Sequence, residues 1–222
     1  MATRKIYLQP TPIRIWHWIN ATGFIALILS GIQIRFPEYV DLFGGYRNAI
    51  TLHNTAGLVV AISFSFWFFY YKVVAGTIMK LYLPNGDDVK HGLLRQGIFY
   101  FFKYFKGDPN PHHTTPENKF NPLQKSAYLA VMFILVPLVS LTGILIMNVT
   151  PLRDLIVLAG GLKILATLHF LLACGLCAFL FTHVYLATLG HTPLEHFKPM
   201  WTGWEEVEEE EGMHLKEAEH RQ

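Results

Sequence analysis

Four long runs without a single Lys, Arg, Asp or Glu dominate the chain: residues 15–34, 48–71, 126–152 and 164–194, of 20, 24, 27 and 31 residues. A helix crosses a hydrocarbon layer with roughly 20 apolar residues, so each run predicts one membrane-spanning helix. Inside lipid every backbone polar group must be satisfied within the protein. The expected fold class is therefore all-α, an integral membrane bundle of four transmembrane helices. Between the second and third runs, Leu93, Leu94, Ile98, Phe101, Phe102 and Phe105 recur at spacings of three and four among Lys90, Arg95, Lys103 and Lys106. That pattern predicts a helix lying in the membrane interface or docking a partner. The breaker cluster Gly107-Asp108-Pro109-Asn110-Pro111 ends it, and His112 and His113 beyond it are expected to be solvated. Residues 1–206 form the membrane domain on this reading and residues 207–222 an acidic tail, and the segment beyond Trp204 is expected to be a soluble helix or disordered.

Composition narrows the class further. Only 15% of the 222 residues are charged, against about 25% in soluble domains, and mean hydropathy is +0.30. A soluble enzyme, a nucleic-acid binder and a disordered protein are all excluded. The first run is longer than the core of a signal peptide and no small-residue cleavage site follows it, so it is expected to persist as a helix. A net charge of +2 sets up no strong field, but its distribution orients the chain. Arg4, Lys5 and Arg14 precede the first run, and Lys72, Lys80, Lys90, Arg95, Lys103, Lys106, Lys119 and Lys125 lie between the second and third. The other connections hold only Arg35, Arg47, Arg153 and Lys163. Cationic loops stay inside, which puts both termini and the long loop in the cytoplasm.

Ionisable groups in hydrocarbon are costly and usually functional. Four histidines fall at depth inside the uncharged runs, His17, His53, His169 and His183, whereas His191 lies near the cytoplasmic exit of the last run, where the interface accounts for it. The last two are 14 residues apart on one helix, hence on one side of it and roughly 21 Å apart along the axis. With the topology above, His17 and His183 lie near the inner face and His53 and His169 near the outer. Each level then holds one pair. Haem takes two axial nitrogens from opposite sides, and helix bundles supply them from facing helices. Zinc would require three or four ligands, and no carboxylate lies in any run; a histidine proton relay stays open, although it would call for nearby acids. Gly23, Gly31, Gly57 and Gly143 allow either a close porphyrin or close helix packing. Trp16, Trp18, Trp67, Tyr70 and Tyr71 read as interfacial belts, and Pro137 as a kink in the third helix. Cys174-Gly-Leu-Cys177 is followed by Ala178 rather than His, so covalent haem attachment is not implied; both cysteines read as small packing residues.

The segment Pro12-Ile13-Arg14-Ile15-Trp16-His17-Trp18-Ile19-Asn20 and the apolar run after it resemble the opening of di-haem cytochrome b membrane subunits. These belong to formate dehydrogenases, thiosulfate reductases and NiFe-hydrogenases. The four histidines match that family's ligand plan in order and in the 14-residue spacing. Lys119-Phe120-Asn121-Pro122-Leu123-Gln124-Lys125 is similar to the third-span motif of the formate dehydrogenase type, with Leu123 where that type has glycine. Pro193, Glu195, His196 and Met200-Trp201-Thr202-Gly203 resemble its exit. The resemblance implies two b haems, held by His17, His53, His169 and His183 as metal ligands, in the bacterial inner membrane. It also implies a quinone, menaquinone or ubiquinone, near the inner haem, with Asn121 among its contacts. The implied partner is a periplasmic iron–sulfur or c-type cytochrome subunit of an oxidoreductase complex. Asn121-Pro122 alternatively starts a helix as N-cap and N1, and Arg14, Lys119, Gln124 and Lys125 are alternative contacts for haem propionates or lipid phosphates. A stand-alone quinone-linked cytochrome b and a haem-free transporter or anchor are the competing functions.

Overall fold

A computed structural model describes residues 3–112, 115, 118–189, 192 and 194–208. His113, His191, Pro193 and the tail from residue 209 on lie outside the described residues. Among the described residues, four helices are long and apolar enough to cross a membrane, Thr11–Arg35, Tyr46–Val74, Pro122–Met147 and Leu162–Ala187. They coincide with the four uncharged runs. Their apolar side chains point outward as well as inward: Ile62 and Phe181 are 70% and 71% exposed, as befits surfaces whose solvent is lipid. Hydroxyls within the spans, such as those of Thr22, Thr55 and Thr182, donate to the carbonyl four residues earlier, which satisfies them inside the helix.

The chain divides into two compact units. One comprises Ile15–Gly76 and Leu129–Tyr185, and so carries most of each span. Its core is built on Val60, Trp67, Tyr71, Val131, Val136, Leu165, Leu172 and Leu176, all buried. Trp67 and Tyr71 therefore pack inward instead of forming a belt. The Trp67 ring stacks on Trp16 and meets Phe133 edge-on, with centroids 6.1 and 6.0 Å away. A wide π turn over Val131–Leu135 stands just before Pro137, which lacks the N–H of a regular helical turn. Cys174 is exposed and Cys177 half-buried, both as free thiols, so Cys174 is not a core packing residue. Gln33, 1% exposed, fastens the connection after the first span. Its Nε2 donates to Asp41 Oδ1 at 2.8 Å, and its Oε1 accepts from the N–H groups of Leu42 and Phe43.

The other unit comprises Met1–Arg14, Thr77–Tyr128 and Leu186–Gln222. Strand β1 (Thr3–Tyr7) pairs antiparallel with strand β2 (Trp204–Glu208), Arg4 opposite Val207. This pairing overrides the expected helix or disorder after Trp204 and crosses the boundary set at residue 206. The acidic composition of the segment conceals it, because a two-stranded ladder draws on backbone groups. The long connection is helical from Asp88 to Lys106 in successive segments. Gln96 and Phe99 are buried, whereas Leu94, Phe101, Phe102 and Phe105 are 65–76% exposed. The predicted apolar face is thus real and faces outward. His112 is half-buried, not solvated, with its N–H donating to Asn110 Oδ1 at 3.0 Å.

Candidate functional site

Within the unit that carries the spans, the four histidines form two pairs. His17 of the first span faces His183 of the fourth, with ring centroids 6.3 Å apart. His53 of the second faces His169 of the fourth at 6.2 Å. An imidazole nitrogen bonds a first-row metal at about 2.0–2.1 Å, with the ring centroid about 1.1 Å behind it. Two imidazoles on opposite sides of one metal would then have centroids about 6.3 Å apart, and both pairs meet that value. No group of three or more His, Cys, Asp or Glu side chains among the described residues could hold a metal ion. Each pair offers two imidazole nitrogens. A macrocycle supplying four equatorial nitrogens would complete such a set, and the residues present fit a haem.

The surroundings of the two pairs differ. At the His53–His169 pair, His53 Nδ1 lies 3.0 Å from Ser30 Oγ and His169 Nδ1 lies 2.9 Å from Thr142 Oγ1. Gly31 and Gly143, the residues that follow, allow these approaches. A Cβ on Gly31 would stand 3.4 Å from His53 Cε1, and one on Gly143 3.2 Å from His169 Cε1. Gly23 instead admits Val60, whose Cγ2 would be 2.7 Å from such a Cβ, so it serves helix packing. At the His17–His183 pair, His17 Nδ1 is buried with no hydrogen-bond partner. Aromatic rings flank it: Trp18 meets His17 edge-on at 5.1 Å, and Phe179 stacks on His183 at 5.7 Å. Asn20 Nδ2 donates to Ser63 Oγ at 2.6 Å and Trp16 Nε1 to the Ser63 carbonyl at 2.9 Å, tying the first span to the second.

Asn121 sits in the other unit, at the start of the third span, and is 3% exposed. Its Oδ1 accepts from the Gln124 N–H at 2.9 Å while Gln124 Oε1 accepts from the Asn121 N–H at 2.9 Å, a reciprocal cap on the helix N-terminus. Its Nδ2 donates to Tyr100 Oη at 3.2 Å. The cations proposed for propionates or lipid all have protein partners. Arg14 donates to the Trp201 carbonyl and to Thr11 Oγ1, and Lys119 to the Leu8 carbonyl. Lys125 pairs with Asp88 at 3.0 Å. Burial lowers the Lys119 ammonium from its ordinary value and raises the Tyr100 phenol, since each charged form is disfavoured away from water. Sequence reasoning missed Ser30 and Thr142. Both directly precede the glycines it did single out, and a hydroxyl beside a glycine on the ligand-facing side was the available signal.

A four-span bundle presenting opposed imidazole pairs defines a membrane cytochrome of the b type, which carries haem without covalent attachment. The chain belongs to the prokaryotic cytochrome b561 family, whose model it matches over residues 8–203. It is 33% identical over 201 residues to the putative cytochrome YdhU of Escherichia coli K12, covering 90% of this chain and 74% of that one. The formate dehydrogenase cytochrome b556(fdo) subunit of the same organism is 25% identical over 181 residues, 79% of this chain and 75% of that one. A probable Ni/Fe-hydrogenase B-type cytochrome subunit of Rhizobium leguminosarum bv. viciae is 29% identical over 126 residues, 50% and 52% of the two chains. The protein is thus a bacterial multi-pass membrane cytochrome b of electron transport, related to subunits of oxidoreductase complexes.

Proposed function

We propose that this chain anchors a periplasmic oxidoreductase in the inner membrane and carries electrons, through two b haems, between that partner and the quinone pool near the cytoplasmic face. The observation that carries the reading is the pair of imidazole couples, 6.3 and 6.2 Å between centroids, with two members 14 residues apart on one helix. A b haem bound by two imidazoles supplies reversible one-electron chemistry at its iron. The chain's residues supply the rest. His17 and His183 hold the inner group and His53 and His169 the outer. Trp16, Trp67 and the apolar core keep water from the bundle. Asn121 stands as the quinone contact, where its Nδ2, now donating to Tyr100 Oη, is the group able to donate to a quinone carbonyl. Charge moved between the two faces exchanges about 2.3 kcal/mol per charge per 100 mV with the membrane potential, built up or dissipated according to the direction of flow.

The test is haem stoichiometry by pyridine haemochrome on the purified protein. Two haems b per polypeptide are expected, falling to one in His53→Ala or His169→Ala and to one in His17→Ala or His183→Ala. Full retention of two haems in any of these variants removes that histidine from the ligand set. A colourless wild-type protein removes the function altogether.

A further inference from the structure

The outer histidines are held by the same device twice. Ser30 is fully buried and Thr142 is 4% exposed. Each hydroxyl has one hydrogen, and each has a helix carbonyl waiting for it: Ser30 Oγ reaches the Ala26 carbonyl at 2.6 Å, and Thr142 Oγ1 the Leu138 carbonyl at 2.9 Å. With its hydrogen so used, the hydroxyl meets the histidine as an acceptor. A second carbonyl stands beside it in both places, Leu27 at 3.3 Å from Ser30 Oγ and Val139 at 3.0 Å from Thr142 Oγ1. A carbonyl can only accept, so the backbone holds the hydroxyl's hydrogen and the ring presents its N–H to the hydroxyl oxygen. The two sites share one spacing: carbonyl at Leu27 or Val139, hydroxyl three residues on, glycine four residues on. The glycine leaves room for the ring: a Cβ would touch His53 Cε1 at 3.4 Å and crowd His169 Cε1 at 3.2 Å. At the inner pair, by contrast, His17 Nδ1 has no such partner.

We propose that Ser30 and Thr142 are the positioning residues of the outer haem: each holds one axial histidine with its proton on Nδ1, leaving Nε2 as the iron ligand. The assignment rests on the bis-histidine reading above. An N–H that donates to a fixed acceptor makes the imidazole a stronger donor to its metal and orients the ring, and loss of such partners typically costs 10–100-fold in affinity. A stronger donor favours the ferric state, so losing the hydroxyls should raise the potential of the outer centre and leave the inner one in place.

The experiment uses the full-length, haem-loaded protein in membranes or detergent. Ser30→Ala, Thr142→Val and the double variant are compared with wild type, with hydroxyl-retaining Ser30→Thr and Thr142→Ser, and with Thr55→Val, which removes an exposed hydroxyl elsewhere. Three quantities are read: haem per polypeptide, the midpoint of each wave in an equilibrium redox titration, and the low-spin ferric EPR g-values. The expected result is an upward shift of one wave and a change in one EPR species in each hydroxyl-less variant. Haem retention at that centre should fall about 10–100-fold in the double variant. The hydroxyl-retaining variants and Thr55→Val should match wild type. If Ser30→Ala and Thr142→Val keep both waves and both EPR species unmoved, or if both centres move together, the assignment is overturned while the haem reading stands. Wild-type protein without a Soret band overturns both. Loss of one haem in a hydroxyl-less variant, reversed by the conservative one, supports the assignment where the potential cannot be read.

Discussion

The buried ion pair at the start of the third span offers a demanding test of how the long connection is fastened. Lys125 Nζ and Asp88 Oδ2 are 3.0 Å apart, with side chains only 6% and 12% exposed. Asp88 Oδ2 also accepts from the Asn85 N–H at 2.9 Å, and Asn85 Oδ1 accepts from the Asp88 N–H at 2.8 Å. Replacing Lys125 by Met keeps most of the volume and removes the charge, so Asp88 is left buried with a single backbone donor. Breaking a buried pair from one side costs about 3–5 kcal/mol, because the remaining carboxylate keeps its desolvation penalty and loses its partner. Replacing both residues, Lys125→Met with Asp88→Asn, removes the orphaned charge and should recover most of that loss. The assay is thermal unfolding of the detergent-solubilised, haem-loaded protein, with proteolysis of the connection as a local probe. The coupling between the two sites should exceed about 2 kcal/mol in a double-mutant cycle. Additive effects within about 0.5 kcal/mol, or a Lys125→Met variant as stable as wild type, would refute the reasoning. Haem stoichiometry should stay unchanged in every variant, because the four histidines lie in the other unit.

Asn121→Asp keeps the oxygen that caps the third span but loses the Nδ2 donor, so it should slow haem oxidation by a quinone analogue without bleaching either haem. Unaltered quinone kinetics would dismiss the contact. Gly143→Val places branched carbons where a Cβ alone is already 3.2 Å from His169, and should lower occupancy of the outer haem. Gly57→Ala, whose Cβ would have 3.8 Å to Leu27, should keep both haems. The Tyr100 phenol, raised by burial, keeps its proton in the folded state at a pH where the unfolded chain has lost it. Stability should therefore fall as pH rises past the ordinary tyrosine range near 10. Tyr100→Phe should reduce that loss, measured by unfolding at stepped alkaline pH.

The spans and the histidine pairs were legible because lipid imposes a severe filter: outside a membrane a charge-free run of twenty residues is rare, and one that also carries an imidazole is rarer still. The pairing needed only helix periodicity and the count of crossings. What stayed hidden depends on contacts that leave no period. Trp67 and Tyr71 carry the composition of an interfacial belt, yet they pack into the core, because only the fold decides which face of the second span meets Phe133. Ser30 and Thr142 look like ordinary helix hydroxyls until a histidine from another span arrives beside them. The role of Asn121 divides the same way. Its capping partnership with Gln124 follows from their three-residue spacing, but the bond to Tyr100 joins segments 21 residues apart.

The ladder between β1 and β2 joins the opening of the chain to a segment some two hundred residues downstream. Because proteins are made from the N-terminus, the first strand must wait, unpaired, until the last crossing has been threaded and the ribosome has released Trp204 to Glu208. Gly203 makes the meeting selective. Its φ of +88° and the Tyr7 ring 2.7 Å from the position of a Cβ suit no other residue. Closure of this small clasp thus reports that all four crossings have been completed. A product that stalls before it presents an open strand edge, the kind of feature that quality-control proteases can detect.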